Sequence, residues 1–265
     1  DDFCRKAQLI NYESHRAIFE AWNSKMWNDA SGVLLWMSHP AWPSMVWQIY
    51  SWDYETFGSF YGCRKACEPI HIQKNLDDQK VVVVNTSLKE IKGAKVIYEV
   101  YSLEGKSLFK RTSKLNVLAN GLTECFVQDK PISASGVYME RLILQDKRGK
   151  VISINDYWQD NGEGDFQGFN ALEEASINCK LIRQEKSQIQ IELQNTGAMP
   201  ALALKLNVRE ADTDKRILPA YASDGYFNLL PGEKRTVTVE YVSRGKVAIS
   251  AEGYNLKRSR LLTLK

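Results

Sequence analysis

The chain has 265 residues, 44% of them hydrophobic and 25% charged, a balance that belongs to folded proteins and excludes a disordered tract poor in aromatic and branched residues. Its formal charge of +3, from 35 basic and 32 acidic residues, is scattered, and the densest basic stretch, Lys257, Arg258 and Arg260, lacks the aromatic interleaving of a nucleic-acid surface. No apolar run approaches the roughly 20 residues needed to cross a bilayer, so neither nucleic acid nor a membrane span is expected.

The length suits two or three compact units, each burying its own core. Asp1 to Lys6 carry no initiator Met and no signal-peptide pattern, and the chain reads as cut from something longer. Five cysteines (Cys4, Cys63, Cys67, Cys125, Cys179) without a CxxC pair indicate neither a disulfide framework nor a zinc site. Small, buried, reduced thiols are the expectation, and neither a metal nor a cofactor is called for.

In chain order, Leu9, Ile10, Ala17, Ile18, Ala21, Trp22 and Met26 recur at spacings of three and four, which predicts an amphipathic helix over residues 6–27. After the turn Asn28-Asp29-Ala30-Ser31-Gly32, the unalternated apolar run Val33-Leu34-Leu35-Trp36-Met37 predicts a strand buried on both faces, as in parallel sheets and barrels. Helix, turn and doubly buried strand make one αβ step of a (β/α) unit, which cannot fold alone. Residues 38–53 are loop-like and aromatic, with Trp42, Trp47, Tyr50 and Trp52 punctuated by Pro40 and Pro43, and residues 57–66 suit a short helix.

Beyond residue 70 the pattern turns to short strands separated by turns, the mark of β-sandwiches. One set is predicted over 71–74, 80–85, 95–102, 107–115, 122–127, 137–145 and 151–157, and a second over 176–181, 188–195, 202–209, 227–229, 235–241, 247–254 and 259–264. Val82-Val83-Val84-Asn85-Thr86 and Ile191-Glu192-Leu193-Gln194-Asn195-Thr196 each run a strand into Asn-Thr. Their separation of about 110 residues is that of one sandwich plus a linker. The Gly- and acid-rich Gln159–Gly168 is the candidate linker, and Leu229-Leu230-Pro231-Gly232-Glu233 a strand-ending turn.

The aromatic stretch from Trp36 to Trp52 is where the sequence points to a ligand, because indole and phenol faces stack on the C–H surface of sugar rings and residues just after a barrel strand line its pocket. His39 follows the predicted strand and is placed to hydrogen-bond a sugar hydroxyl; His15 and His71 read as structural. Asp53 and Glu55 are the nearest approach to paired carboxylates, but two residues apart in a loop they do not flank a scissile bond, and a surface or recognition role is preferred. Asp160, Glu163 and Asp165 only weakly echo a calcium loop and are assigned to the linker. Asn85-Thr86-Ser87 fits a glycosylation sequon and predicts an exposed turn.

The run Gly32 to Ser44, with Trp47-Gln48, Tyr50 to Tyr54 and Tyr61 to Gln73, resembles the end of the catalytic barrel in glycoside hydrolase family two, within the exo-β-D-glucosaminidase and β-mannosidase branch that includes plant endo-β-mannosidases. Ala7 to Glu13 and Phe19 to Trp22 resemble the helix before the last barrel strand. The likeness is specific over the first 75 residues or so and more diffuse beyond, where Val81 to Asn85, Val151 to Ser153 and Tyr157-Trp158 still follow two trailing sandwiches. It implies that both catalytic glutamates precede this chain, so no catalytic residue is assigned within it. It also implies that Trp36 ends the eighth barrel strand in the floor of the sugar subsite, with His39 and Trp42 at the rim; Ser38-His39-Pro40 replaces a pair of asparagines frequent in glucosaminidase relatives, which leaves the sugar open.

The expected architecture is mainly β: residues 1–70 as the last α/β piece of a (β/α)8 barrel, followed by immunoglobulin-like sandwiches over 71–165 and 171–265. The expected function is the C-terminal part of a retaining β-glycosidase, inactive alone, whose partners are a β-linked oligosaccharide or glycan and the N-terminal part of the same enzyme. The alternative is a non-catalytic carbohydrate-binding or interaction module using strand aromatics such as Tyr98, Tyr101, Tyr226 and Tyr254. The sequence leaves the compartment open, with a secreted or periplasmic one favoured.

Overall fold

The computed structural model of the chain describes residues 2–44, 48–128, 136–160, 164–242 and 245–264. It divides into two units, one of Arg16–Leu34 and Cys63–Ala171, the other of Asp1–His15, Leu35–Gly62 and Leu172–Lys265. Each contains a two-sheet sandwich with its own core.

In the first sandwich, β1 (Ile70–Lys74), β2 (Lys80–Asn85) and β5 (Gly121–Val127) form one antiparallel sheet in the order β1-β2-β5. β3 (Ile91–Ser102), β4 (Ser107–Val117), β6 (Tyr138–Gln145) and β7 (Val151–Gln159) form the other, in the order β4-β3-β6-β7. Alternate residues meet in the core, Ile72, Val81 and Val83 with Val96, Tyr98, Val100, Leu142 and Leu144, as period-two strands require.

The second sandwich uses β8 (Ile177–Gln184), β9 (Gln188–Asn195), β10 (Ala201–Glu210), β11 (Ala220–Ala222), β12 (Phe227–Leu229), β13 (Lys234–Tyr241), β14 (Val247–Gly253) and β15 (Leu256–Leu264). Its sheets run β11-β13-β9-β8 and β12-β10-β14-β15. With β11 set aside, the order matches that of the first sandwich strand for strand. β9 alternates cleanly, Ile189, Ile191 and Leu193 buried between half-exposed neighbours.

The repeat extends to side chains. Asn85 Nδ2 donates to Lys89 O (2.9 Å) and Leu118 O (2.8 Å), and its Oδ1 accepts from Ser87 N (3.0 Å). Asn195 Nδ2 donates to Met199 O (2.8 Å) and Leu229 O (2.9 Å), and its Oδ1 accepts from Gly197 N (3.0 Å). The following threonines match too, Thr86 N bonding Pro69 O and Thr196 N bonding Ser176 O, both at 2.9 Å. The turn that follows Asn85 is exposed, as read from the sequon, while Asn85 itself is fully buried, because its amide closes the corner between the sheets.

Other expectations are corrected as well. Helix α1 spans Asp2–Asn23 rather than 6–27, because the amides of Asn28, Asp29 and Ala30 all converge on Lys25 O and turn the chain back. Its buried positions are Tyr12, His15, Arg16 and Glu20, while Ile10, Ile18 and Trp22 face solvent. Residues 33–37 form no strand, and Leu34 is fully exposed; a parallel strand takes its hydrogen bonds from neighbours, and no described strand pairs with this run. The candidate linker, of which residues 161–163 lie outside the described residues, is exposed over 164–168, and the chain packs again at Phe169, which is buried 5.1 Å from the Trp158 ring and 5.9 Å from Phe166. Cys4 and Cys67 are exposed rather than buried, at the first turn of α1 and just past the last turn of α2 (Gly58–Ala66).

Candidate functional site

The aromatic loop lies in the unit of the second sandwich. Ser38 O accepts from the amides of Ile49 (3.1 Å) and Tyr50 (3.2 Å), closing the loop at its neck, and Tyr50 bridges to Thr56. At the tip, Ser51 N donates to Glu55 O (3.1 Å), Tyr54 N to Ser51 O (3.0 Å) and Glu55 N to Ser51 Oγ (2.9 Å). Tyr54 takes a positive φ of 64° to complete this turn.

His39 lies against that tip, its ring stacked on Tyr54 at 4.6 Å and 12° and its Nε2 3.2 Å from Trp52 O. Trp36 and Trp42 remain 82% and 66% exposed, which leaves most of their ring faces open to a ligand. The fold therefore brings His39 together with Trp52 and Tyr54 and keeps Trp36 and Trp42 on the same loop with outward surface. Trp47, part of the same sequence cluster, lies outside the described residues.

Glu55 anchors the loop. Its carboxylate pairs with Lys205 Nζ on β10 at 2.5 Å and with the Arg216 guanidinium, and only 17% of its side chain is exposed. Glu55 is thus a mostly buried, ion-paired carboxylate rather than a free one at the surface. Asp53, which does face solvent, accepts a hydrogen bond from Ser51 Oγ. Behind the loop, Ser59 Oγ donates to Gln48 O (3.0 Å) and Gly58 N to Gln8 Oε1 (3.0 Å). A side chain at Gly58 would sit 2.0 Å from Gln8 O, so this approach of α2 to α1 requires glycine.

The unit of the first sandwich holds a buried polar cluster that sequence reasoning did not assemble. His71 Nε2 is 2.9 Å from Glu20 Oε1 and its Nδ1 is 3.2 Å from Glu68 Oε2. Glu20 also accepts from Asn155 Nδ2 (2.7 Å) and Tyr157 OH (2.9 Å), and Arg16 lies over the Tyr157 ring at 4.4 Å. Burial opposes ionisation of Glu20, yet the His71 hydrogen bond and the Arg16 charge outweigh it and hold its pKa below the usual carboxylate value. Burial likewise pulls His71 down, but hydrogen bonds and charges from Glu20 and Glu68 push it up. The only sequence signal was the set of polar residues His15, Arg16 and Glu20 within the helix. His71 and His15, read as structural from the sequence, are both buried.

Of the aromatics named for the binding-module alternative, Tyr98 and Tyr226 are buried in the two cores, while Tyr101 and Tyr254 are half-buried. Among the described residues no helix is long and apolar enough to cross a membrane.

Residues 155–256 match the model of the exo-β-D-glucosaminidase Ig-fold domain. The chain is 30% identical to the exo-β-D-glucosaminidase of Streptomyces avermitilis over 91% of its own length and 30% of that protein. It is 28% identical to the mannosylglycoprotein endo-β-mannosidase of Lilium longiflorum, covering 96% of this chain and 34% of that one. The crystal structure of the Amycolatopsis orientalis exo-chitosanase superposes with a TM-score of 0.88 at 27% identity, over 97% of this chain and 34% of that one. The chain thus spans about a third of the length of these relatives. With its paired antiparallel sandwiches and its Ig-fold segment, the chain belongs, as a C-terminal portion, to the exo-β-D-glucosaminidase and β-mannosidase branch of glycoside hydrolase family two.

Proposed function

We propose that the chain is the C-terminal part of a retaining β-glycosidase of exo-β-glucosaminidase or β-mannosidase type, in which Trp36, His39 and Trp42 line the sugar subsite and both catalytic carboxylates lie outside these residues. Residues 1–70 complete the catalytic (β/α)8 barrel, and sandwiches over 71–165 and 171–265 buttress it. The partners are a β-linked oligosaccharide or glycan and the N-terminal part of the same enzyme.

The observation that carries this reading is the exposure of Trp36 and Trp42 on a loop whose far end is anchored by Glu55. Two further features support it. Phe3, Ile10, Ile18 and Trp22 form an exposed apolar stripe along α1, suited to packing on further structure. The run 33–37, apolar and without a partner strand among the described residues, suits a place in a parallel barrel.

Assayed alone on p-nitrophenyl β-D-glucosaminide and β-D-mannoside, the chain is expected to show no turnover, and clear hydrolysis overturns the reading. In the enzyme that carries this chain, Trp36→Ala is expected to raise KM about tenfold, equivalent to about 1.4 kcal/mol of lost stacking. An unchanged KM removes Trp36 from the subsite.

A further inference from the structure

In the unit of the second sandwich a pocket of about 590 Å³ opens over β10, β14 and β15, with the first turns of α1 and the Glu55 end of the aromatic loop at its wall. Six cationic side chains line it, Arg5, Lys205, Arg209, Arg216, Lys257 and Arg258, against the two carboxylates of Glu55 and Glu252. Those carboxylates are already engaged: Glu55 is shared by Lys205 and Arg216, and Glu252 accepts from Asn207 Nδ2 at 2.9 Å.

Beside the pocket, the single carboxylate of Asp214 serves three guanidinium groups, Arg258 at 3.0 Å, Arg209 at 3.5 Å and Arg260 at 3.8 Å. Arg209, 12% exposed, donates from Nη1 to Asp214 O at 2.6 Å, and its Nε is buried without an acceptor among the described residues, a costly state for a charged group. Burial, opposed by Glu252 and reinforced by the Arg209 charge, holds the Lys205 ammonium below its ordinary pKa, as expected where cations crowd. Guanidinium groups in excess over carboxylates match the geometry of phosphate, sulfate and carboxylate groups, which they bind bidentately. The volume is that of a small-molecule site.

We propose that this pocket binds an oxyanion-bearing solute of monosaccharide size, its phosphate, sulfate or carboxylate group held by Arg209 and Arg258. The pocket is separate from the aromatic subsite, and the inference stands independently of the reading of Trp36 and Trp42.

Isothermal titration of the full 265-residue chain with inorganic phosphate, glucose 6-phosphate and glucose tests it. Saturable binding of phosphate and of glucose 6-phosphate, weakening with added salt, and none of glucose are expected. Tighter binding of glucose 6-phosphate assigns the site to an anionic sugar, and equal binding assigns it to the free oxyanion. Arg258→Gln, at a half-exposed position, is expected to retain the fold by thermal melt and to weaken binding about tenfold. Arg183→Gln, on β8 and outside the pocket, is expected to leave it unchanged. Absence of saturable heat with both anions, or unaltered affinity in Arg258→Gln, overturns the proposal.

Discussion

Asn85 and Asn195 perform one task twice, each using a buried amide to satisfy two carbonyls and a following backbone amide at the corner of its sandwich. Replacing either by alanine leaves those carbonyls buried without donors, so Asn85→Ala and Asn195→Ala are each expected to cost about 1–3 kcal/mol in urea unfolding. The buried His71 cluster sets a pH dependence. The His71 pKa is raised from 6.5, so its contribution is complete below that value and is lost as the pH climbs through the raised folded value. Glu68 moves the other way. Burial disfavours its charge, but the His71 hydrogen bond and the Lys65 charge lower it from 4.5 to about 2, so its contribution is complete above 4.5 and lost as the pH falls through about 2. The urea midpoint is therefore expected to be highest between about pH 4.5 and 6.5 and to fall on both sides. A midpoint that rises steadily into alkaline pH would exclude this account.

Among the elements, β2, β9 and β12 appear with the boundaries read from their sequences, because each is an apolar run closed by a polar or turn residue. The turn after β12 also forms as read: Glu233 N donates to Leu230 O at 2.9 Å and Gly232 takes a φ of +78°. A Cβ at Gly232 meets nothing within 4 Å, so Gly232→Ala isolates the backbone cost of the left-handed conformation, expected at about 1 kcal/mol by thermal denaturation. A stabilising effect would mean that the turn is not held there. β11 escaped the sequence reading because its three residues, paired among the described strands with β13 alone, carry too little alternation to register. In α1, the periodic apolar residues Ile10, Ile18 and Trp22 pointed to the wrong face, because hydrophobic spacing locates a stripe without saying what covers it.

At the scale of the whole molecule, each sandwich closes over its own core, and the partners of Asn85 and Asn195 do not overlap. The double variant is therefore expected to lose the sum of the single losses within about 0.5 kcal/mol, with a larger deviation in urea unfolding indicating coupling between the corners. Every strand but β11, the tandem repeat and the aromatic loop were legible from the sequence, since alternation, turn residues and the Asn-Thr repeat are local signals that each sandwich satisfies from its own residues. The tertiary structure alone decided that Glu55 clamps the aromatic loop to β10, that Glu20, His71 and Glu68 meet in a buried cluster, and that six cations gather in one pocket. Most of those contacts join residues far apart in the chain, 51 positions for Glu20 and His71 and 150 for Glu55 and Lys205, and charge pairing at such separations leaves no periodic trace in a sequence.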